Sequence, residues 1–218
     1  MKNIGVIISG CGYLDGAEIR EAVLTLLSID KYGARPSIYA PNVDQYHVVN
    51  HLTGEETGES RNVLLEAGRI ARGEVIDLSE IKMNELDALI IPGGFGVAKN
   101  LSSLAFEGQK GSIHPVFSKV LKDCHDSHKP IGAICISPAV ICMALGKAQP
   151  ELTIGNDTST AGIINELGGK HIDCDVHQIH TDKKNKIVST PAYMYGDAPI
   201  SRIAQGIDQC VKEVINLI

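Results

Sequence analysis

The apolar residues of the chain fall into short continuous runs that alternate with longer amphipathic segments. The first run, residues 2–10, is nearly continuous, which is typical of a strand buried on both faces in a parallel sheet. A helix is predicted over residues 17–32, ending at Gly33, and a second strand over residues 35–40. The periodicity puts the following residues on the apolar face of that helix: Ile19, Ala22, Val23, Leu26 and Leu27. This β-α-β unit predicts a right-handed crossover and a parallel sheet.

The same alternation continues to the end of the chain. Further strands are predicted over residues 46–50, 75–78, 88–91, 131–134 and 152–155, and a hairpin pairs residues 176–180 with residues 187–190. Further helices are predicted over residues 61–72, 115–127, 158–167 and 199–217, the first of them capped by Ser60, whereas residues 99–111 are predicted as a loop. No repeat, low-complexity tract or linker interrupts the pattern. We therefore expect one α/β domain over residues 1–218, with a mostly parallel sheet sandwiched by helices.

The strand over residues 131–134 stops at a single cysteine, Cys135, and a helix-compatible run over residues 139–145 follows closely. Strand, sharp turn and helix in this order are typical of a nucleophile elbow. The free N–H groups and the positive end of the helix are expected to lower the pKa of the Cys135 thiol. The alternative is that Cys135 is a small buried core residue, which is where free cysteines are commonly found.

A second strand, residues 88–91, runs into Pro92-Gly93-Gly94. Glycine lets the backbone approach a bound group closely and point its N–H groups outward, although an ordinary strand-ending turn also favours these residues. In open α/β sheets, ligands bind in the crevice at the carboxyl ends of the strands. Cys135 is therefore a candidate nucleophile, and the N–H groups of Gly94 and Ile136, with Gly93 beside them, are candidates for stabilising an oxyanion. A carboxylate near the start of the first helix is the candidate for proton transfer.

Composition narrows the classes of function. A net charge of −6 without any basic patch argues against a nucleic-acid partner. No apolar run reaches the roughly 20 residues of a membrane helix and no signal peptide precedes the first strand, so we expect a cytoplasmic protein without a membrane partner. The six cysteines are scattered without a C-x-x-C pair, which argues against a zinc site or a disulfide framework. The loop Gly10-Cys11-Gly12 lacks the third glycine of a dinucleotide fingerprint, so nucleotide binding is not favoured.

Two motifs carry a resemblance to a known family. Pro92-Gly93-Gly94 and Ala133-Ile134-Cys135-Ile136-Ser137-Pro138 resemble the corresponding motifs of the PfpI family, within the class I glutamine amidotransferase-like superfamily. Residues 4–12, 50–55, 92–102 and 190–194 are similar, more narrowly, to the ElbB branch, also called isoprenoid-biosynthesis protein with an amidotransferase-like domain. The resemblance implies a flavodoxin-like fold and, because PfpI relatives are commonly dimers, a homodimer.

The resemblance also implies an acidic residue on the first helix whose carboxyl group contacts the cysteine. The matching position is Glu21, which we prefer, and Glu18, one turn earlier, is the competitor, since a spacing of three puts both on neighbouring parts of one helix face. Many PfpI-type proteins carry a histidine directly after the cysteine, where this chain has Ile136. Candidates for a distant base are His51, His114, His171, His177 and His180, of which His180 comes first because it closes a predicted strand.

The activity that the resemblance implies is that of a glyoxalase that needs neither glutathione, a metal nor another cofactor. A small carbonyl substrate such as glyoxal would form a hemithioacetal with Cys135 and leave as a 2-hydroxy acid. The alternative is a non-enzymatic protein linked to isoprenoid biosynthesis, in which Cys135 senses oxidants or the crevice binds a metabolite. Amide transfer is not favoured, because residues 190–193 hold Thr-Pro-Ala-Tyr where a histidine and a glutamate would be expected.

Overall fold

The computed structural model describes residues 1–218, and a seven-stranded sheet runs through its middle. The strands are β1 (Asn3–Ile7), β2 (Arg35–Ala40), β3 (Ile76–Asp77), β4 (Ala88–Ile91), β5 (Ile131–Ile134), β6 (Glu151–Leu152), β7 (Lys170–His171), β8 (His180–Asp182) and β9 (Ile187–Thr190). The order across the large sheet is β3-β2-β1-β4-β5-β9-β8, and all its pairs are parallel except β8 with β9. Strands β6 and β7 pair separately. The predicted α/β fold with a mostly parallel sheet is confirmed.

The helices cover both faces of this sheet. They are α1 (Ile19–Lys31), α2 (Val63–Ala71), α3 (Phe95–Lys99), α4 (Leu104–Glu107), α5 (Pro115–Asp126), α6 (Ser137–Leu145), α7 (Thr158–Glu166) and α8 (Ile200–Asn216). Short 3₁₀ turns occupy Leu78–Glu80, Met83–Glu85, Gly108–Lys110, Gly146–Ala148 and Ala192–Met194. Buried side chains of α1, α2 and α8 form one apolar core, and those of α3 to α7 form the other. None of the helices combines the length and the apolar character needed to cross a membrane.

The strand register brings the two predicted motifs to the same edge of the sheet. Ile91, the last residue of β4, lies opposite Ala133, and Ile134, the last residue of β5, lies opposite Thr190. All four residues of β4 and all four of β5 are buried, which explains their continuous apolar runs. The Gly-Gly turn after β4 and the cysteine after β5 therefore leave the sheet side by side.

The predicted apolar face of α1 is only partly correct. Ala22 is buried and Leu26 packs against the core, but Ile19, Val23 and Leu27 are 44%, 48% and 52% exposed, respectively. The helix buries this set: Glu21, Ala22, Thr25, Ser28 and Ile29. Polar contacts hold α1 in this rotation about its own axis. The Ser28 hydroxyl donates to Asp208 of α8 at 3.1 Å, and Glu21 faces the end of the sheet. Apolar periodicity alone does not register such contacts.

Local predictions between the strands needed smaller corrections. Helix α2 is capped by Asn62 rather than Ser60, since the Asn62 side chain accepts a hydrogen bond from the Leu65 N–H. Residues 46–50 form no strand and contribute only an isolated bridge between Val49 and Glu56. The predicted loop over residues 99–111 contains α4 and a 3₁₀ turn. The predicted hairpin near the end of the chain forms, with β9 as expected, but its first strand is β8, His180–Asp182, and not residues 176–180.

Because α1 buries Ile29 and exposes Leu27, we expect substitutions of these two residues to change the free energy of unfolding by different amounts. Ile29 is fully buried, so Ile29→Ala is expected to lower the free energy of unfolding by about 2–5 kcal/mol through lost burial and a residual cavity. Leu27 is 52% exposed, so Leu27→Ala on the same helix is expected to cost less than about 1 kcal/mol. Urea unfolding of both variants measures the difference. Equal losses would contradict the rotation of α1.

Candidate active site

Cys135 occupies a sharp turn between β5 and α6. Its backbone has φ 63°, in the left-handed region that residues other than glycine seldom adopt. Two long-range hydrogen bonds hold the turn: the Cys135 N–H donates to the Thr190 carbonyl at 3.0 Å, and the Ser137 hydroxyl donates to the Pro92 carbonyl at 3.1 Å. The turn thus has the geometry of a nucleophile elbow, fixed by the ends of β4 and β9.

Gly93 lies between Cys135 and Glu21 of the first helix, where there is no room for a side chain. A Cβ atom added at Gly93 would lie 2.4 Å from the Cys135 Cβ and 2.7 Å from Glu21 Oε2. Gly94 has φ 98°, and a Cβ atom there would lie 2.3 Å from the Glu18 N atom. Both positions therefore require glycine, Gly93 for the close approach and Gly94 also for its backbone conformation.

The two candidate carboxylates do different things. Glu21 is fully buried, and its Oε2 accepts the Gly93 N–H at 2.8 Å while its Oε1 accepts the Tyr193 N–H at 3.1 Å. Glu18 lies just before the helix, in an extended conformation, and caps it by accepting the Glu21 N–H at 2.6 Å. The expectation that both share one helix face is therefore wrong, because Glu18 is not part of the helix. Glu21 is the carboxylate placed against the thiol.

Burial dominates the acid–base properties of this pair. Desolvation raises the pKa of Glu21 to about 8, more than its hydrogen bonds from Tyr193 and Gly93 lower it. Burial, and next the charge of Glu21, also raise the pKa of the Cys135 thiol well above its usual value. The N–H groups of Gly94 and Ile136 do lower that pKa, as expected, but they are outweighed. The predicted acidic thiol is therefore wrong for the free protein, and at pH 7 the pair is mostly protonated.

The expected oxyanion donors separate into two groups. The N–H groups of Gly94 and Ile136 point to the Cys135 sulfur. The Gly93 N–H is instead donated to Glu21. A carbonyl oxygen added beside the sulfur can therefore use the first two donors, while the third orients the carboxyl group.

A cavity of about 320 Å³ opens above Cys135. The residues that line it are Tyr13, Glu18, Gly94, Phe95, Cys135, Ile136, Thr160, Tyr193 and Met194. A second cavity, of about 400 Å³, shares Tyr13, Glu18 and Tyr193 with the first, so the two adjoin. Sequence reasoning missed Tyr13, Phe95, Thr160 and Tyr193, which come from four separate segments. The similarity over residues 190–194 was the one signal that pointed to Tyr193.

No histidine lines this cavity. His180, the first candidate for a distant base, instead pairs with Glu151 at 3.1 Å between Nε2 and Oε2. His177 lies 2.8 Å from Arg202, and His114 caps α5. His171 accepts the Ile154 N–H, and His51 accepts the Leu14 N–H with its ring edge-on to Tyr13. The side chain beside the thiol that can move protons is thus a carboxyl group.

The buried carboxyl group of Glu21 makes the free energy of unfolding depend on pH. Its pKa is about 8 in the folded chain against 4.5 for an ordinary glutamate, so the folded state holds one proton more between these values. The contribution of the protonated Glu21 to the free energy of unfolding is fully present below pH 4.5 and is lost as the pH rises to about 8. Glu21→Gln removes the titration. Urea unfolding from pH 5 to pH 8.5 is therefore expected to show wild type losing stability relative to Glu21→Gln, and a constant difference would contradict the raised pKa.

Comparisons with known proteins agree with this geometry. No family model matches the chain. The human mitochondrial protein named glutamine amidotransferase-like class 1 domain-containing protein 3 is 41% identical over 224 residues, which cover 98% of this chain and 82% of the human one. The crystal structure of an isoprenoid biosynthesis protein with an amidotransferase-like domain from Ehrlichia chaffeensis is 41% identical, with a TM-score of 0.93 over 100% of this chain and 99% of that one.

More distant structures share the fold alone. Drosophila melanogaster DJ-1beta is 14% identical, with a TM-score of 0.56 over 99% of this chain and 95% of that one. The chain therefore shares its overall fold with DJ-1beta. On the identity and coverage of its relatives, the chain belongs to the glutamine amidotransferase-like class 1 family.

Proposed function

We propose that this protein is a glyoxalase-like enzyme of the ElbB branch, which converts a small dicarbonyl such as glyoxal to a 2-hydroxy acid without glutathione. The observation that carries the proposal is that Cys135, which lines the cavity, lies against the buried Glu21 carboxyl group behind it. The N–H groups of Gly94 and Ile136 lie beside the same sulfur. This set supplies a nucleophile, a proton carrier and donors for an oxyanion.

The first step is addition of the thiol to the aldehyde. Glu21 loses its proton first, because burial raises the pKa of the Cys135 thiol well above its usual value. The Glu21 carboxylate then takes the thiol proton as the sulfur attacks the aldehyde carbon. A C–S bond forms while the carbonyl electron pair moves to oxygen, where the Gly94 and Ile136 N–H groups stabilise it. Protonation of this oxygen gives the hemithioacetal.

The second step moves a proton between the two carbons. Glu21, having given its proton to the hemithioacetal oxygen, takes the hydrogen of the former aldehyde carbon as a proton, which gives an enediol, and returns it to the neighbouring carbon. The proton of the hemithioacetal hydroxyl moves to the neighbouring oxygen, which becomes a hydroxyl group while the first oxygen becomes the thioester carbonyl. The first carbon is oxidised to a thioester and the second is reduced to an alcohol, so no external oxidant is needed. A pKa of about 8 suits a group that must both accept and donate a proton near neutral pH. Water then adds to the thioester, the C–S bond breaks and the hydroxy acid leaves.

The alternative function is a metabolite-binding accessory protein or a thiol sensor. The Ehrlichia protein is named for isoprenoid biosynthesis, and Ile136 takes the place of the histidine that PfpI-type enzymes carry after the cysteine. The raised pKa of Cys135 disfavours the sensor, because oxidation requires a thiolate. Metabolite binding without turnover remains the competitor, and it would survive the loss of the thiol. A cytoplasmic location and a homodimer stay predictions.

Loss of the thiol tests the enzyme directly. Cys135→Ser is expected to lower kcat/KM for glyoxal by at least about a thousandfold, because a serine hydroxyl is a far weaker acid and a far weaker nucleophile than a thiol. Cys11→Ser is the matched control, since Cys11 is a partly exposed thiol outside the cavity. Conversion of glyoxal to glycolate by both variants measures the effect. Full turnover by Cys135→Ser would refute the mechanism.

The pH profile provides an independent test. Since the pair must lose a proton before attack, kcat/KM for glyoxal is expected to rise from pH 6 to pH 9 with a midpoint near the pKa of about 8. Glu21→Gln removes the group that moves the proton between the two carbons, so kcat/KM for glyoxal is expected to fall by at least about a hundredfold across this range. A flat wild-type profile, or full turnover by Glu21→Gln, would show that Glu21 does not control the reaction.

A further inference from the structure

The cavity above Cys135 is much larger than glyoxal needs. A two-carbon dicarbonyl takes up about the space of two water molecules, roughly 60 Å³ at about 30 Å³ each. The cavity has a volume of about 320 Å³, within the range of sites that bind larger ligands. A substrate limited to the two reacting carbons would leave most of this space to water.

The walls of the cavity are aromatic, and two of the rings stand at its mouth. Tyr13 and Phe95 are each 47% exposed and line the cavity, yet their loops are tied together by a hydrogen bond of 2.8 Å from the Phe95 N–H to the Tyr13 carbonyl. Each ring is also supported outside the cavity. The Tyr13 ring meets His51 edge-on at 5.4 Å, and the Lys99 ammonium lies 5.1 Å from the Phe95 ring centroid. The two rings are therefore held in place before any ligand arrives.

A third ring completes the enclosure. Tyr193 lines both cavities, its hydroxyl accepts a hydrogen bond from Arg20 at 3.0 Å, and its N–H is held by Glu21. Ile136 and Met194 are further apolar parts of the wall. Three fixed aromatic rings around an apolar space favour a flat aromatic group, which can pack against ring faces and edges.

The polar groups of the cavity limit the charge of the ligand. Glu18 is the one ionisable residue besides Cys135 and the Tyr13 and Tyr193 hydroxyls that lines it, and no lysine or arginine does. Arg20 lines only the adjoining cavity, where it donates to the Tyr193 hydroxyl. A carboxylate or phosphate in the cavity above Cys135 would therefore face Glu18 with no cation in the same lining. The substituent that fits is uncharged. The carboxylate of a hydroxy-acid product would meet the same acidic group, which favours its release.

We infer that the substrate is an aryl 2-oxoaldehyde, a dicarbonyl whose ketone carbon carries an uncharged aromatic ring seated between Tyr13, Phe95 and Tyr193. The reaction in this inference rests on the proposed function, whereas the aromatic binding site formed by Tyr13, Phe95 and Tyr193 does not. The reaction balances as before: the aldehyde carbon is oxidised, the ketone carbon is reduced and one water molecule is consumed. Phe95 and Tyr13 determine specificity through the ring and do not touch the reacting carbons.

Ligand binding to Cys135→Ser, which cannot form the C–S bond, tests the aromatic binding site separately from the reaction. Titration calorimetry on Cys135→Ser compares 2-hydroxyacetophenone, an uncharged aromatic ketone, with hydroxyacetone, which has a methyl group in place of the ring. We expect the aromatic ketone to bind at least about tenfold more tightly. Adding Phe95→Ala or Tyr13→Ala is expected to remove most of that advantage, with Phe95→Leu intermediate. Phe106→Ala is the matched control, because Phe106 is 45% exposed, stacks on Tyr46 and lies outside the cavity.

Turnover tests the same assignment in the intact enzyme. The wild-type kcat/KM is expected to be at least about tenfold higher for phenylglyoxal than for glyoxal. Phe95→Ala is expected to remove that preference, whereas Phe106→Ala is expected to keep it. Equal binding of the two ketones, or equal loss in Phe95→Ala and Phe106→Ala, overturns the inference. Tight, Phe95-dependent binding of the aromatic ketone without turnover of any dicarbonyl would refute the proposed glyoxalase activity but would support the aromatic binding site.

Discussion

The site depends on one buried carboxyl group. Glu21 has no contact with water, and its two oxygens accept N–H groups from Gly93 and Tyr193, which follow two different strands of the sheet. A buried polar group without such partners would cost about 1–3 kcal/mol for each hydrogen bond left unmade. The carboxyl group therefore ties the first helix to the ends of β4 and β9 while it lies against the Cys135 thiol. The same burial raises its pKa to about 8, so that it can gain or lose a proton near neutral pH.

Backbone constraints around this carboxyl group leave little freedom in the sequence. Gly93 admits no side chain because the thiol and the carboxyl group already occupy the space that a Cβ would need. Gly94 combines the same crowding with a positive φ, and Cys135 itself adopts a positive φ that few residues tolerate. These costs are met by the surrounding sheet, whose strands β4 and β5 are fully buried. A rigid sheet edge thus holds a reactive group in a conformation that it would not adopt in a free loop.

Polar contacts also decide how the first helix is turned. Apolar periodicity would place Ile19, Val23 and Leu27 inward, but these residues are largely exposed. Glu21 and Ser28 face inward instead, one to the thiol and one to Asp208 on α8. The helix therefore gives up some apolar burial for a placement that brings a carboxyl group to the cysteine. A functional site is where local patterns are expected to mislead.

The sequence by itself determined the order of strands and helices, the parallel sheet and the side-by-side exit of the Gly-Gly turn and Cys135. It could do so because continuous apolar runs, glycines at strand ends and a strand–turn–helix pattern are local properties that the packing of a parallel sheet converts into position. Only the tertiary structure decided that Glu21 and not Glu18 reaches the thiol, that no histidine lines the cavity, and that the thiol pKa is raised. Each of these depends on distances and burial between segments far apart in the chain. Desolvation in particular has no local signature, because it arises from what other parts of the chain place around a group.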